Sequence, residues 1–169
     1  ALFGQWPMQR CEAGQSWQWD GVQFEVLHPL AGDYVQLWSP NARSCVLRIS
    51  TGQLVALLTG DIEAFQEQAL LQRKGTHLRA DLLLVPHHGS ATSSTQAFLE
   101  AVQPSVAIVQ AGYRNRFGHP RPDVLRRYTD LGVQVVQTPR CGASTWRSEQ
   151  PNLVQCERNQ RQRYWQHVF

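Results

Sequence analysis

The sequence predicts an α/β fold: a single domain spanning all 169 residues, with a mixed sheet and flanking helices. Three observations carry that expectation. The first third alternates apolar and polar residues between turn signals, the pattern of half-buried strands. After Asp61 the apolar spacing becomes helical. From there helical segments alternate with short apolar runs, which is how βαβ units around a partly parallel sheet look in a sequence.

In chain order, residues 17–27 alternate toward a strand that ends at Pro29, and the Asp20-Gly21 pair between apolar runs is a hairpin turn signal. Residues 44–50 and 53–58 are two more strands joined by a tight Thr51-Gly52 turn, so this region is a meander. Residues 30–41 hold Gly32 and Pro40 without a clear period and read as a surface loop. Beyond Asp61, Ile62, Phe65, Ala69 and Leu70 fall at helical spacing, with Glu63 where the helix dipole favours an acid, and predict a helix of about 12 residues. Residues 81–86 contain Leu82, Leu83, Leu84 and Val85 in succession, the signature of a strand buried on both faces. Residues 93–102 and 122–131 are helical in pattern, and 106–110 and 133–137 are strands. Residues 143–146 and 153–156 are weaker strands before an Arg- and Gln-rich tail from about Glu157.

A hydrophobic content of 42% suffices for one ordinary core, and no repeat, low-complexity tract or domain boundary interrupts it. No long apolar run or export signal is visible, so the chain is expected to be soluble. Its start at Ala1 reads as a piece excised from a longer parent. The net charge is +3, with Arg114, Arg116, Arg121, Arg126 and Arg127 in one stretch and Arg158, Arg161 and Arg163 near the end. Such clusters suit a polyanion, or else form a solvated face. The four cysteines lack the spacing of a four-thiolate zinc centre. Two disulfides, Cys11 with Cys45 and Cys141 with Cys156, would each join neighbouring segments; four buried free thiols are the other arrangement.

Three segments place a metal-competent side chain where a strand runs out into a loop, the place where α/β proteins build sites. Thr59-Gly60-Asp61 projects a carboxylate, which is alternatively a helix N-cap. Val85-Pro86-His87-His88-Gly89-Ser90 presents two adjacent imidazoles, costly to bury without partners and well suited to zinc and similar metals. One of the pair would be a ligand, and the other a substrate contact or general acid. Asn115-Arg116-Phe117-Gly118-His119-Pro120 brings His119 near Arg114 and Arg116, which could engage a phosphate; a plain helix-entry turn is the alternative. The isolated His28, His77 and His167 read as structural or exposed.

These three motifs, with Thr92-Ser93-Ser94, resemble in order and spacing the metallo-β-lactamase-like domain of the ComEC family of bacterial DNA-uptake channels. Trp17-Gln18-Trp19-Asp20-Gly21, Asn41 to Leu47, Thr138 and Gly142-Ala143 are also similar, so the resemblance covers nearly the whole chain. It implies the carboxy-terminal part of an αββα sandwich in which two divalent metals, zinc or manganese, activate water against a phosphodiester. On that resemblance Asp61 bridges the metals and His87 or His88 is the late histidine ligand. His87 and His119 are the catalytic candidates, and Ser90, Arg114, Arg116 and His119 contact substrate. The implied partners are DNA and the membrane-channel portion of the parent. The implied location is the bacterial inner membrane, with this domain on its extracytoplasmic, periplasmic side.

The family also places a His-x-His-x-Asp-His cluster in the amino-terminal half of the domain, and these residues contain none. The expectation is an amino-terminally truncated domain with metals absent or partial, weak or inactive in isolation, and able to self-associate through an exposed inner face. Two rivals remain. A phosphorylcholine-esterase-like phosphodiesterase shares the first two motifs but not Gly118-His119-Pro120; a non-catalytic module would instead guide DNA along the arginines.

Overall fold

The computed structural model describes residues 9–36 and 38–161, so Arg163 and His167 lie outside the described residues. Among the described residues nine strands and three longer helices follow the expected order, with two one-turn helices added near the end. The meander is β1 (Ser16–Trp19), β2 (Val22–His28), β3 (Val46–Ser50) and β4 (Val55–Leu58). Then come α1 (Ala64–Lys74), β5 (Leu82–Leu84), α2 (Gln96–Val102), β6 (Val106–Val109), α3 (Pro122–Asp130) and β7 (Gln134–Gln137). A short α4 (Thr138–Cys141), the hairpin β8 (Ser144–Trp146) and β9 (Val154–Cys156), and a one-turn α5 (Glu157–Gln160) complete it.

Seven strands form one sheet in sequence order, antiparallel from β1 to β4 and parallel from β4 to β7. The mixed sheet therefore switches direction use at β4, where hairpin loops give way to helical crossovers. The helices cover one face. There Leu57, Leu83, Ala107 and Val109 of the sheet meet Leu70 of α1, Phe98, Leu99 and Val102 of α2, and Val124 and Tyr128 of α3.

On the opposite face one row of register partners crosses all seven strands: Trp17, Phe24, Ile49, Ala56, Leu82, Val106 and Gln134. Trp146 and Val154 of the β8–β9 hairpin pack against the Ala56, Leu82, Val106 and Ile108 cluster. Toward β1 the face opens to solvent, with Trp17 45% and Trp19 74% exposed. Leu84 on this face is only half-buried, so β5 is less enclosed than a run of four apolar residues implies. The only other sheet among the described residues is that two-stranded hairpin.

Two expectations are corrected. Asp61 is not a helix cap: α1 begins at Ala64, and Glu63 is the N-cap, its N–H donating to the Gln66 side chain at 3.2 Å. The α2 helix starts at Gln96 rather than near 93, because Ser93 and Ser94 are buried in the preceding loop and Thr95 accepts the Phe98 N–H. The 30–41 loop is also more regular than its sequence suggests, holding 3₁₀ turns at Ala31–Tyr34 and, at its end, Asn41–Arg43. Both disulfides are present, Cys11–Cys45 and Cys141–Cys156.

Candidate functional site

The site lies beyond the carboxyl ends of β4, β5 and β6, and three loops build it. After β4, the buried Thr59 hydroxyl donates to Leu84 O at 2.7 Å, tying this strand end to β5. Gly60 then turns at φ +57, and a Cβ there would come within 2.9 Å of Ser44 Cβ. The Asp61 N–H donates to Ser44 Oγ at 3.0 Å, which aims the carboxylate across the strand ends.

After β5, His87 and His88 both adopt left-handed backbone, at φ +47 and +56. Residues with side chains rarely do so, and each such position costs on the order of 1–2 kcal/mol, held in place by surrounding contacts. Here the His87 N–H donates to Gly60 O, and the Ser90 N–H to His87 O. The two imidazoles consequently diverge.

His87 is engaged on both ring nitrogens. Its Nε2 faces the Asn41 amide Nδ2 at 3.3 Å, and its Nδ1 faces Glu63 Oε1 at 3.2 Å with the Thr92 hydroxyl at 3.4 Å. An amide nitrogen only donates, so Nε2 accepts and Nδ1 carries the hydrogen toward the carboxylate. His88 differs. Its Nδ1 donates to Gln110 O at 2.6 Å, which leaves Nε2 3.4 Å from Asp61 Oδ1. In the neutral ring that nitrogen is a lone pair facing a carboxylate oxygen, two electron-pair donors that a shared cation could bridge.

After β6, the 110–121 segment walls a cavity of about 490 Å³ lined by His88, Gln110, Ala111, Gly112, Asn115, Phe117, His119 and Thr138. Asn115 shapes this loop, donating to His119 O at 2.6 Å and accepting the His119 N–H at 3.0 Å. The His119 ring lies 6.0 Å from that of His87. Burial, and then the charges of His87, His88 and Arg121, hold the His119 pKa below the ordinary imidazole value.

Of the residues singled out from sequence, Asp61, His87, His88 and His119 thus converge. Arg114 and Arg116 are exposed at the rim, their guanidiniums over Tyr113 and Phe117. Ser90 is buried with its hydroxyl against Thr92, and it does not line the cavity. Arg127 leaves the arginine stripe: it donates to Ser93 O and Ser94 O and pairs with Asp123. Glu67 completes that support, fully buried and accepting the Ser94 and Thr95 N–H groups at 2.5 and 2.8 Å. Sequence reasoning gave no part in the site's hydrogen bonding to Asn41, Glu63 or Asn115. Only Asn115 had a local signal, its four-residue spacing to His119.

The donors present do not form a closed metal centre: among the described residues no three His, Cys, Asp or Glu side chains gather where they could hold an ion. Asp61 and His88 are a facing pair and no more.

Fold and site define an α/β protein whose carboxylate and histidines meet where parallel strands end. The chain belongs, over this region, to the family of ComEC-related competence proteins. It is 40% identical over 131 residues to Competence protein ComA of Neisseria gonorrhoeae, covering 78% of this chain and 18% of that protein. It is 38% identical over 117 residues to Recombination protein 2 of Haemophilus influenzae, covering 69% and 14%. To ComE operon protein 3 of Bacillus subtilis it is 35% identical over 140 residues, covering 83% and 18%. The chain thus spans less than a fifth of the length of these relatives. No family model matches it.

Proposed function

We propose that this chain handles incoming DNA as part of a longer competence protein, in which its strand-end site serves metal-dependent hydrolysis of phosphodiester bonds. The observation that carries the reading is the Asp61–His88 pair, whose open Nε2 borders the cavity while its Nδ1 is anchored on Gln110 O. Anchoring the far nitrogen on a carbonyl is how proteins orient a histidine toward a metal. Asp61 and His88 are the two donors this chain would supply, to zinc or manganese, and the remaining ligands come from residues outside it.

The other groups act on the substrate. Arg114 and Arg116 contact phosphates from the rim, and His119 contacts the scissile group or, once it has taken up a proton, passes that proton on. His87, held between Asn41 and Glu63, positions the loop or shares the proton-transfer role. By itself the chain is weakly active or inactive.

The open sheet face around Trp17 and Trp19 supports the same reading, because an αββα sandwich buries that face under a second sheet. Without such a cover it is where copies would self-associate. The two disulfides suit an oxidising compartment and so support a location on the extracytoplasmic side of the inner membrane, beside the channel portion of the parent. Among the described residues no helix is long and apolar enough to cross a membrane.

The test is nicking of supercoiled plasmid by the longer protein in Mn²⁺ or Zn²⁺. Asp61→Asn and His88→Asn should each lower the rate by about 100-fold while DNA binding persists. Undiminished nicking by both variants would overturn the assignment. A second reading, a non-catalytic DNA guide, is favoured by the exposed Arg114, Arg116 and Arg126. It requires steeply salt-sensitive binding and no cleavage by the longer protein.

A further inference from the structure

The rim of the cavity carries an aromatic feature that phosphate chemistry alone does not use. Phe117 is 63% exposed although it lines the cavity. Its ring stacks on His119, with centroids 5.9 Å apart and planes within 15°. The Arg116 guanidinium lies 4.8 Å from the Phe117 centroid, and Arg114 lies over Tyr113, itself 40% exposed. The loop is not loosely placed. Asn115 brackets it through both the N–H and the carbonyl of His119, and the Arg121 N–H donates to Gly89 O.

A large apolar ring held in water beside a polar site loses hydrophobic stabilisation unless something covers it. Here the covering group must suit arginines at its edges and a cavity leading to His88 and His119. A nucleobase with its flanking phosphates meets both demands, because bases stack on aromatic rings and guanidinium planes while phosphates pair with arginine. In a duplex the base faces are already stacked, so a ring at this position engages only an unpaired nucleotide.

We propose that Phe117 is a base-stacking residue that seats one unpaired nucleotide of a single strand at the cavity mouth. The exposed Arg116 side chain shifts from the ring to the adjoining phosphate, and the strand's next phosphate is directed toward His119 and His88. The substrate class is single-stranded nucleic acid, or a duplex end with unpaired bases. This inference rests on the nucleic-acid reading above, and adds to it a specificity-determining contact.

The experiment is fluorescence anisotropy at low salt, using labelled oligothymidylate of about a dozen nucleotides, an abasic strand of equal phosphate count, and a duplex. The chain should bind oligothymidylate about tenfold more tightly than the abasic strand and more tightly than the duplex. Phe117→Ala should abolish the preference over the abasic strand without weakening abasic binding, and Phe117→Trp should retain it. Equal binding of the two strands, a preference that survives Phe117→Ala, or tighter binding of duplex would overturn the stacking role while leaving the DNA reading standing. Absence of binding to any of the three would overturn both.

Discussion

His28 shows how a residue outside the site holds one of its parts in place. It ends β2 almost fully buried, and its Nε2 donates to Ala42 O at 2.9 Å, fixing the turn that carries Asn41 to His87. Burial is the largest influence on its pKa and lowers it, against the raising effects of Ala42 O and Asp33, while Arg73 lowers it further. The unfolded chain therefore takes up a proton near pH 6.5 that the folded one still refuses. Stability from His28 is complete above about pH 6.5 and is lost as pH falls from there toward the lower folded value. His28→Gln keeps a donor for Ala42 O without the titration. Thermal melts from pH 7.5 to 5 should show a decline in the wild-type protein that is flatter in the variant; parallel declines would refute this account. At this scale the sequence was informative about residue type and silent about partners. Asp61 and His88 stood out because each ends a strand, whereas Asn41 and Glu63 became relevant only when folding brought them to His87, Asn41 from 46 positions away.

The strand-end loops work as a coupled pair of elements, and Gly89 is the coupling point. It sits at φ +81, and a Cβ there would meet Pro120 Cβ at 2.6 Å and Pro120 Cα at 3.1 Å. The Arg121 N–H donates to its carbonyl, so the histidine loop and the 110–121 segment are pinned together. Gly89→Ala meets both a left-handed backbone and a backbone clash, and should destabilise the fold by roughly 2–4 kcal/mol. Urea unfolding measures this, and a change under about 0.5 kcal/mol would show that the loops are not packed so closely. Strands β1 to β4 were legible because hairpins are local: Asp20-Gly21 and Thr51-Gly52 mark their own turns. The start of α2 was not, because Ser93 and Ser94 are withdrawn from the helix by partners about 30 residues away, namely Glu67, Arg127 and Tyr128. Periodicity cannot register such hydrogen bonds.

For the whole molecule, two features point beyond the chain. One sheet face is sealed by three helices while the other is covered by the β8–β9 hairpin over β4 to β6 and open around Trp17 and Trp19. Among the described residues the histidine–carboxylate contacts at the strand ends are likewise pairs, Asp61 with His88 and Glu63 with His87. Both features follow if a second half of the domain, supplied by the longer protein, lays a sheet on the open face and brings further ligands to the strand ends. The amino-terminal meander, the partly parallel sheet after it and the two last strands were legible from turn signals and alternation, whereas the strand order and the pairing of β8 with β9 come from the structure. The uneven covering of the sheet was not, since a strand awaiting a partner layer has the same alternation as one already packed. The most direct measurement combines bound-metal analysis with plasmid nicking, on the 169-residue chain and on the longer protein that contains it. The account predicts less than one tightly bound metal and no metal-dependent nicking for the chain, and metal-dependent nicking by the longer protein that Asp61→Asn abolishes. Stoichiometric metal with nicking by the 169-residue chain alone, or no nicking by the longer protein, would contradict it.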